Sequence, residues 1–311
     1  FPEWEGDFTC HSDDKLVPFS NVQTCNWLQV QDNAADQFHH TPLHTTALIP
    51  GHEQGTTFGE AGANAYLVRP DLQFFPVHGG KSMAWTSSRR VDDDYMFIRI
   101  NHQITPNVSF HSYLFEDGKK SKHFSRVHMH RWTVPIDNTT CKMIGWRGIG
   151  PNIDPRDVGN EDLIGYEKID FLEGQCGMRR PERATFGPGE LPPVPDHHRY
   201  RNAYVDAQHA PGDYEITASQ RSIAVHALES PMKFDGGVYL SRKQLRDAVS
   251  GDNEEASPEA WKKWLEEVDG KPNTYCSGNV LAIPKCASPE EEVERRRDVA
   301  KRCIAAITES D

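Results

Sequence analysis

From residue 63 to 147 the chain reads at period two, and the turns between its runs are short and polar. Ala65-Tyr66-Leu67-Val68, Ser82 to Arg90, Tyr95 to Ile104, Val108 to Glu116, Phe124 to Pro135 and Thr139 to Arg147 each read as a strand. Asp92-Asp93-Asp94, Pro106-Asn107, Asp117-Gly118 and Asp137-Asn138 separate them as turn signals. Strands joined this way pair antiparallel, and no helical stretch lies between them to carry a parallel crossover. The pattern argues against a doubly wound sheet. It predicts an α+β fold, a curved antiparallel sheet packed on helices with a pocket between sheet and helix.

The helices fall on either side of that run. A helix is expected over 24–42, then a loop over 45–62, rich in Thr, Gly and Pro. Residues 148 to 212 are irregular, with Gly187-Pro188-Gly189 and Pro192-Pro193-Val194-Pro195, and suit a lid or a subunit contact. Asp213 to Glu229 reads as a helix, Gly236 to Leu240 as a short strand, and Ser241 as the cap of a helix to about Ser250. Pro258 to Val268 and Pro289 to Thr308 complete the set. The last has Ser288 as N-cap, Pro289 at its first position and Glu290, Glu291 and Glu292 in its first turn. Residues 1 to 23 carry no periodicity and read as a lead-in to one domain spanning 1–311.

Composition narrows the partners. A net charge of −12 argues against a nucleic-acid surface or an anionic membrane surface. No run approaches the ~18 apolar residues of a membrane span, and no secretory signal opens the chain. The seven cysteines are odd in number and scattered, which suits reduced thiols in a cytoplasm. No two stand at Cys-x-x-Cys spacing, so a structural zinc site is not expected.

The densest chemistry lies in Thr24 to His44, TCNWLQVQDNAADQFHHTPLH. At helical period Leu28, Ala34, Ala35 and Phe38 can pack inward. Asn33, Asp36 and His40 then share one stripe, with His39 beside Asp36 at i+3. Imidazoles and carboxylates together suit a divalent transition metal. His40 and His44 are four apart, on one face of a regular helix. His39 and His44 are five apart, about 140° round an ideal helix, and need the helix to kink or end between them. Pro42 supplies a reason for such a distortion. Geometry leaves His39 and His40 even, and histidines that simply hydrogen-bond in a core are the plain alternative.

Asn26-Trp27-Leu28-Gln29, then Asp32-Asn33, then Asp36, His39 and His44 resemble the start of the catalytic domain in Rieske-type non-haem iron oxygenases. The pattern there is Asn-Trp-Leu-Gln, Glu-Asn and Asp-x-x-His-x-x-x-x-His, with Asp32 here in place of Glu. The resemblance implies that His39 and His44 ligate iron(II) and that His40 is a neighbour. It implies a helix-grip fold of the START and birch-allergen kind. It also names the carboxylate: Asp213-Tyr214-Glu215-Ile216-Thr217-Ala218-Ser219-Gln220, then Phe234-Asp235-Gly236-Gly237-Val238 and Arg242, matches the family's second motif. Gly212, Ala218 and Phe234 depart from that motif. Composition alone reads Asp213 as an N-cap, and Glu215 is the reserve ligand. Asp36 is placed to hydrogen-bond a ring N–H of a ligating histidine. By resemblance it also links toward the Rieske cluster of a neighbouring subunit, and Asn33 is the amide near the iron.

A Rieske centre needs two Cys-and-His ligand pairs. Here Cys10 is followed directly by His11, and no cysteine has His two or three residues on. The resemblance therefore implies a Rieske [2Fe-2S] centre on another domain or chain, fed from NAD(P)H through a reductase. It implies dioxygen as co-substrate and an oligomer, a trimer or a multiple of one. The expected reaction is hydroxylation, dihydroxylation or oxidative demethylation of an aromatic or heteroaromatic small molecule. The rival reading is a non-catalytic helix-grip protein that binds an apolar ligand. His128 and His130 are expected to line the pocket or face solvent, and His197 and His198 to lie in an exposed loop. Met83, Trp85, Phe97, Phe110 and Trp132 are expected in the core or pocket wall.

Overall fold

The computed structural model describes residues 5–6, 15–44, 69–90, 92–113, 125–152, 213–251, 254–270 and 273–308. Its centre is an eight-stranded sheet: β1 (Lys15–Gln23), β2 (Asp71–Val77), β3 (Ser82–Arg90), β4 (Tyr95–Ile104), β5 (Val108–Tyr113), β6 (Ser125–Pro135), β7 (Cys141–Asn152) and β8 (Ser277–Ala282). Seven run in the order β1-β7-β6-β5-β4-β3-β2, and β8 adds to β4. Every pairing in this sheet is antiparallel. A two-residue parallel pair, Glu5–Gly6 with Asn273–Thr274, stands apart.

Strand β4 changes partner partway along. His102 to Ile104 pair with β5, whereas Tyr95 to Ile100 pair with β8. Asn101 sits at the switch. Its Oδ1 accepts from the Ser112 N–H at 2.9 Å, and Arg99 Nε donates to the Ser112 carbonyl at 2.8 Å. Side chains thus supply the partners that a continuing ladder would have given Ser112.

Alternation on β3 and β4 feeds two cores. On one face Val77, Ala84, Met96, Ile98 and Ile100 meet Val299 and Ile304 of the helix α6 (Pro289–Thr308). On the other, Met83 and Trp85 meet Ala35 of α1 (Trp27–Ala35) and Val238 of α4 (Gly236–Ser250). Helices α2 (His40–His44), α3 (Asp213–Ser219) and α5 (Pro258–Glu267) complete the set. Gly237 lets α4 approach. A Cβ there would lie 2.3 Å from the Phe74 ring and 2.8 Å from the Ala35 carbonyl.

Ser82–Arg90, Tyr95–Ile104 and Pro289–Thr308 have their expected limits. Four expectations are corrected. The lead-in holds a real edge strand, β1, which buries Phe19 and Val22; its mid-strand Pro18 masks the pattern and is tolerated because β1 ends the sheet. Strand β7 runs on to Asn152, into the stretch read as irregular. Gly236 to Leu240 is the first part of α4, because packing of Val238 on Trp85 outweighs the β-propensity of Val and Tyr. Helix α3 stops at Ser219, before Arg221 at a left-handed φ of 79°, and only a 3₁₀ turn at His226–Leu228 follows. Strands β2 and β8 were not foreseen. The loop at 45–62, the strand at 65–68, the end of the strand at 114–116, residues 153–212 and His197 and His198 lie outside the described residues.

Candidate metal centre

The helix expected over 24–42 is two helices, and the break makes the site. Asn26 caps α1, its side chain accepting from Leu28 N at 3.0 Å. The helix ends at Asp36, whose backbone is extended (φ −84°, ψ 97°). There Oδ1 accepts from the N–H groups of Phe38 at 2.9 Å and His39 at 3.3 Å, a side-chain turn that competes with helix continuation. The chain restarts as α2, with the His39 carbonyl accepting from Leu43 N at 2.8 Å. His39 thus stands at the entry of α2 and His44 at its end. Pro42 is the third residue of α2, where an N–H has no intrahelical partner in any case. The distortion arises at Asp36, not at Pro42.

The His39 ring is held between two carboxylates. Nδ1 lies 3.6 Å from Asp36 Oδ2 and Nε2 lies 3.4 Å from Asp213 Oδ1. The imidazole is 11% exposed and the Asp213 side chain 53%. Burial alone would strip the ring of its proton. The Asp213 and Asp36 carboxylates outweigh burial and push the pKa up to about 9. Positive charge is therefore favoured on this ring, and a divalent cation replacing the proton meets the same carboxylates. The donor set fits a metal. His40 is engaged differently: buried, with Nδ1 3.0 Å from the Gln37 carbonyl, and its ring 4.4 Å from that of His39.

The structure thus brings His39, Asp36 and Asp213 together. For His44 and Glu215 only the backbone is described. Among the described residues no three His, Cys, Asp or Glu side chains form a metal-sized group. Asn33 is half-buried and lines, with Asp36 and Asp32, a cavity of about 430 Å³ beside Arg242 and Val238.

Three contacts hold this arrangement, and none was foreseen. Gln29, buried on α1, clamps the C-terminal end of the Asp213 helix. Its Nε2 donates to the carbonyls of Thr217 and Arg221, each at 2.9 Å, and its Oε1 accepts from Ala224 N at 3.0 Å. The Thr217 carbonyl is one that the last turn of α3 would otherwise leave without a partner, and the Arg221 carbonyl lies just beyond the helix end. Arg242 joins the two motifs: it donates to Asp32 (2.6 Å from Nη2) and to Glu229 (2.7 Å from Nη1). Burial raises the Asp32 carboxyl above its usual value, with the Arg242 bonds opposing it. Phe234, one of the departures from the motif, stacks on Phe38 with centroids 4.0 Å apart. The signal for Gln29 and Arg242 was their place inside the two motifs; nothing in spacing showed what they would touch.

On the sheet side of the site stands His111 of β5, buried, edge-on to Trp85 at 5.8 Å. Burial, with the charges of Arg131 and Arg99, holds it well below the ordinary value. Asp213 and His39 lie close enough to act on it as charges. His128 and His130 are buried; His130 packs 4.0 Å from Trp132 on the opposite face, and burial lowers it to about 3. Met83, Trp85, Phe97 and Phe110 are buried, as expected, and Trp132 is partly buried in the cluster of Phe110.

In its two motifs the chain resembles the catalytic domain of Rieske-type non-haem iron oxygenase α subunits. Along its whole length the chain is 32% identical to the oxygenase subunit of tert-butanol monooxygenase / tert-amyl alcohol desaturase from Aquincola tertiaricarbonis, covering 60% of that subunit. It is 22% identical over 243 residues to the α subunit of phenoxybenzoate dioxygenase from Ectopseudomonas oleovorans, covering 77% of this chain and 45% of that one. The chain spans only about half of the curated relatives it matches. Among solved structures, Pseudomonas putida CBB5 NdmB aligns at a TM-score of 0.44 and 13% identity, over 82% of this chain and 56% of that one. Dicamba monooxygenase aligns at 0.40 and 11%, over 78% and 62%. No family model matches the chain. No helix among the described residues is long and apolar enough to cross a membrane.

Proposed function

We propose that the chain is the mononuclear iron component of an oxygenase, with iron(II) held by His39, His44 and Asp213. The observation that carries this is the His39 ring, with one nitrogen facing Asp36 and the other facing Asp213. Iron so held would supply dioxygen activation, with electrons arriving from NAD(P)H through a reductase and a Rieske [2Fe-2S] centre on another domain or chain. The chain's own residues do the rest. Asp36 holds the Nδ1 edge of His39 and orients the ring, while Gln29 holds the Asp213 helix against α1. Asn33 and Asp36 face the cavity where an electron-delivering partner would dock. Trp85, Met83 and Val238 close the sheet side against water.

The fold fits the helix-grip class, used here as a single domain within an oligomer, a trimer or a multiple of one, in a cytoplasm. The substrate is an aromatic or heteroaromatic small molecule. The relative named for tert-butanol and tert-amyl alcohol widens that class to small branched alcohols. The paired carboxylates favour this reading over an apolar binding protein, which has no use for them.

The test is turnover with separate electron carriers. With a reductase alone, the chain should hold iron but sustain no multiple turnover, and a Rieske-bearing partner should restore it. Sustained turnover with only a flavin reductase would sink the electron path, and an inability to take up iron anaerobically would sink the proposal.

A further inference from the structure

The sheet face beside His39 and Asp213 carries hydrogen-bond donors that the described protein does not use. Trp85 is fully buried, and its indole N–H has no acceptor. Asn101, its direct cross-strand neighbour, is also fully buried. Because Asn101 Oδ1 is fixed by the Ser112 N–H, the amide cannot be turned round, and its NH₂ is left without a partner. Two residues on, and on the same face, Gln103 donates to Ser241 Oγ at 2.8 Å and leaves Oε1 unused. Buried donors without acceptors are costly and uncommon, so two on adjacent positions of one face call for an occupant. Trp85 joins this patch to the centre: it packs with Ala35, the residue before Asp36, and with Val238 of α4, and meets His111 edge-on.

We propose that Trp85 Nε1 and Asn101 Nδ2 form an oxygen-recognising subsite, so that the substrate presents a carbonyl, carboxylate or hydroxyl oxygen to them beside the metal centre. This rests on the reading of that centre as the place where substrate binds. A hydroxyl hydrogen would be received by Gln103 Oε1. A bare hydrocarbon would leave both donors buried and unpaired, and the site would reject it for that reason. Substrate orientation follows, since the oxygenated end is fixed at the sheet and the remainder of the molecule lies toward His39.

Acetophenone, benzoate and α-methylstyrene are near-isosteric and differ in the group offered to these donors. Their binding to the iron-loaded chain, measured by calorimetry without oxygen or electron donor, tests the subsite separately from turnover, and iron content is assayed alongside. We expect acetophenone or benzoate to bind at least about tenfold more tightly than α-methylstyrene. Trp85→Phe removes the N–H together with part of the ring and should erase that preference, while Asn101→Asp tests the subsite without a change of volume. Asn101→Asp keeps the acceptor for Ser112 and replaces the NH₂ with an oxygen, so it should weaken the oxygenated probes by a similar factor. Trp132→Phe, on the opposite face, should leave the preference intact. A preference for acetophenone over benzoate marks a neutral oxygen, and the reverse marks an anionic one; either supports the subsite. Equal binding of all three would mean that water satisfies the donors, and the proposal fails. Failure of all three to bind while iron is retained overturns the subsite and leaves the iron site standing.

Discussion

Two neighbourhoods of buried histidine lie on opposite faces of the sheet, and they hold their rings in opposite states. Beside α1, His39 has a carboxylate at each nitrogen and is pushed up to about 9. Behind the sheet, His130 packs among Phe110, Trp132 and Trp146 and is lowered to about 3, while His102, against Tyr275 and Phe110, is lowered as well. Burial acts the same way on all three rings. What separates them is carboxylate placement, so burial alone makes a neutral core histidine, and burial between acids makes a place for a cation. A sequence displays both kinds as His in an apolar setting.

The comparison breaks most directly at Asp213. Asp213→Asn removes the larger source of the upward push on His39 and leaves Asp36 alone to oppose burial. Iron affinity should fall by at least about 100-fold, and the imidazole pKa followed by NMR should drop in the metal-free protein. An unchanged affinity would reduce Asp213 to a helix-capping residue.

A smaller effect is expected at Gln29, which touches neither ring. Gln29→Met keeps the bulk and removes three hydrogen bonds. Stability should fall by about 1–3 kcal/mol and iron affinity by about tenfold, with faster amide exchange over Thr217 to Ala224. Loss of stability with unchanged iron affinity would make the clamp purely structural.

In stability, the smallest effect is the one expected with pH. In metal-free protein the folded His39 pKa of about 9 lies above the ordinary 6.5. Its contribution to stability is therefore full below pH 6.5 and is lost as pH rises through 9. Exposure of Asp213 screens that contribution, so denaturation curves should show only a shallow decline. Iron must displace the same proton, so its affinity should rise about tenfold per pH unit between about pH 6.5 and pH 8. A flat profile would mean that His39 is already neutral.

Much of the fold was legible because periodicity is local. The strand limits at Ser82–Arg90 and Tyr95–Ile104 follow from alternation on two half-buried faces. Edge strands such as β1 were hidden because Pro18 and the exposed Leu16 blur the alternation that a central strand would keep. In the site, the resemblance to Rieske-type oxygenases pointed to His39, Asp36 and Asp213, where spacing alone left His39 and His40 even and composition read Asp213 as an N-cap. The break at Asp36 was not legible, since it depends on its side chain capturing two backbone N–H groups. Nor were the Gln29 clamp and the Arg242–Asp32 pair, which join residues 188 to 210 positions apart. Such contacts exist only once the fold has brought the two motifs together.

The central claim is that His39, rather than the adjacent His40, belongs to the metal centre. Iron stoichiometry after anaerobic reconstitution of His39→Ala and His40→Ala tests it most directly. His40 spends Nδ1 on the Gln37 carbonyl, so His40→Ala should retain most of its iron, whereas His39→Ala should lose most of it. Iron kept by His39→Ala and lost by His40→Ala would contradict the account and place the centre on the regular i, i+4 pair His40 and His44.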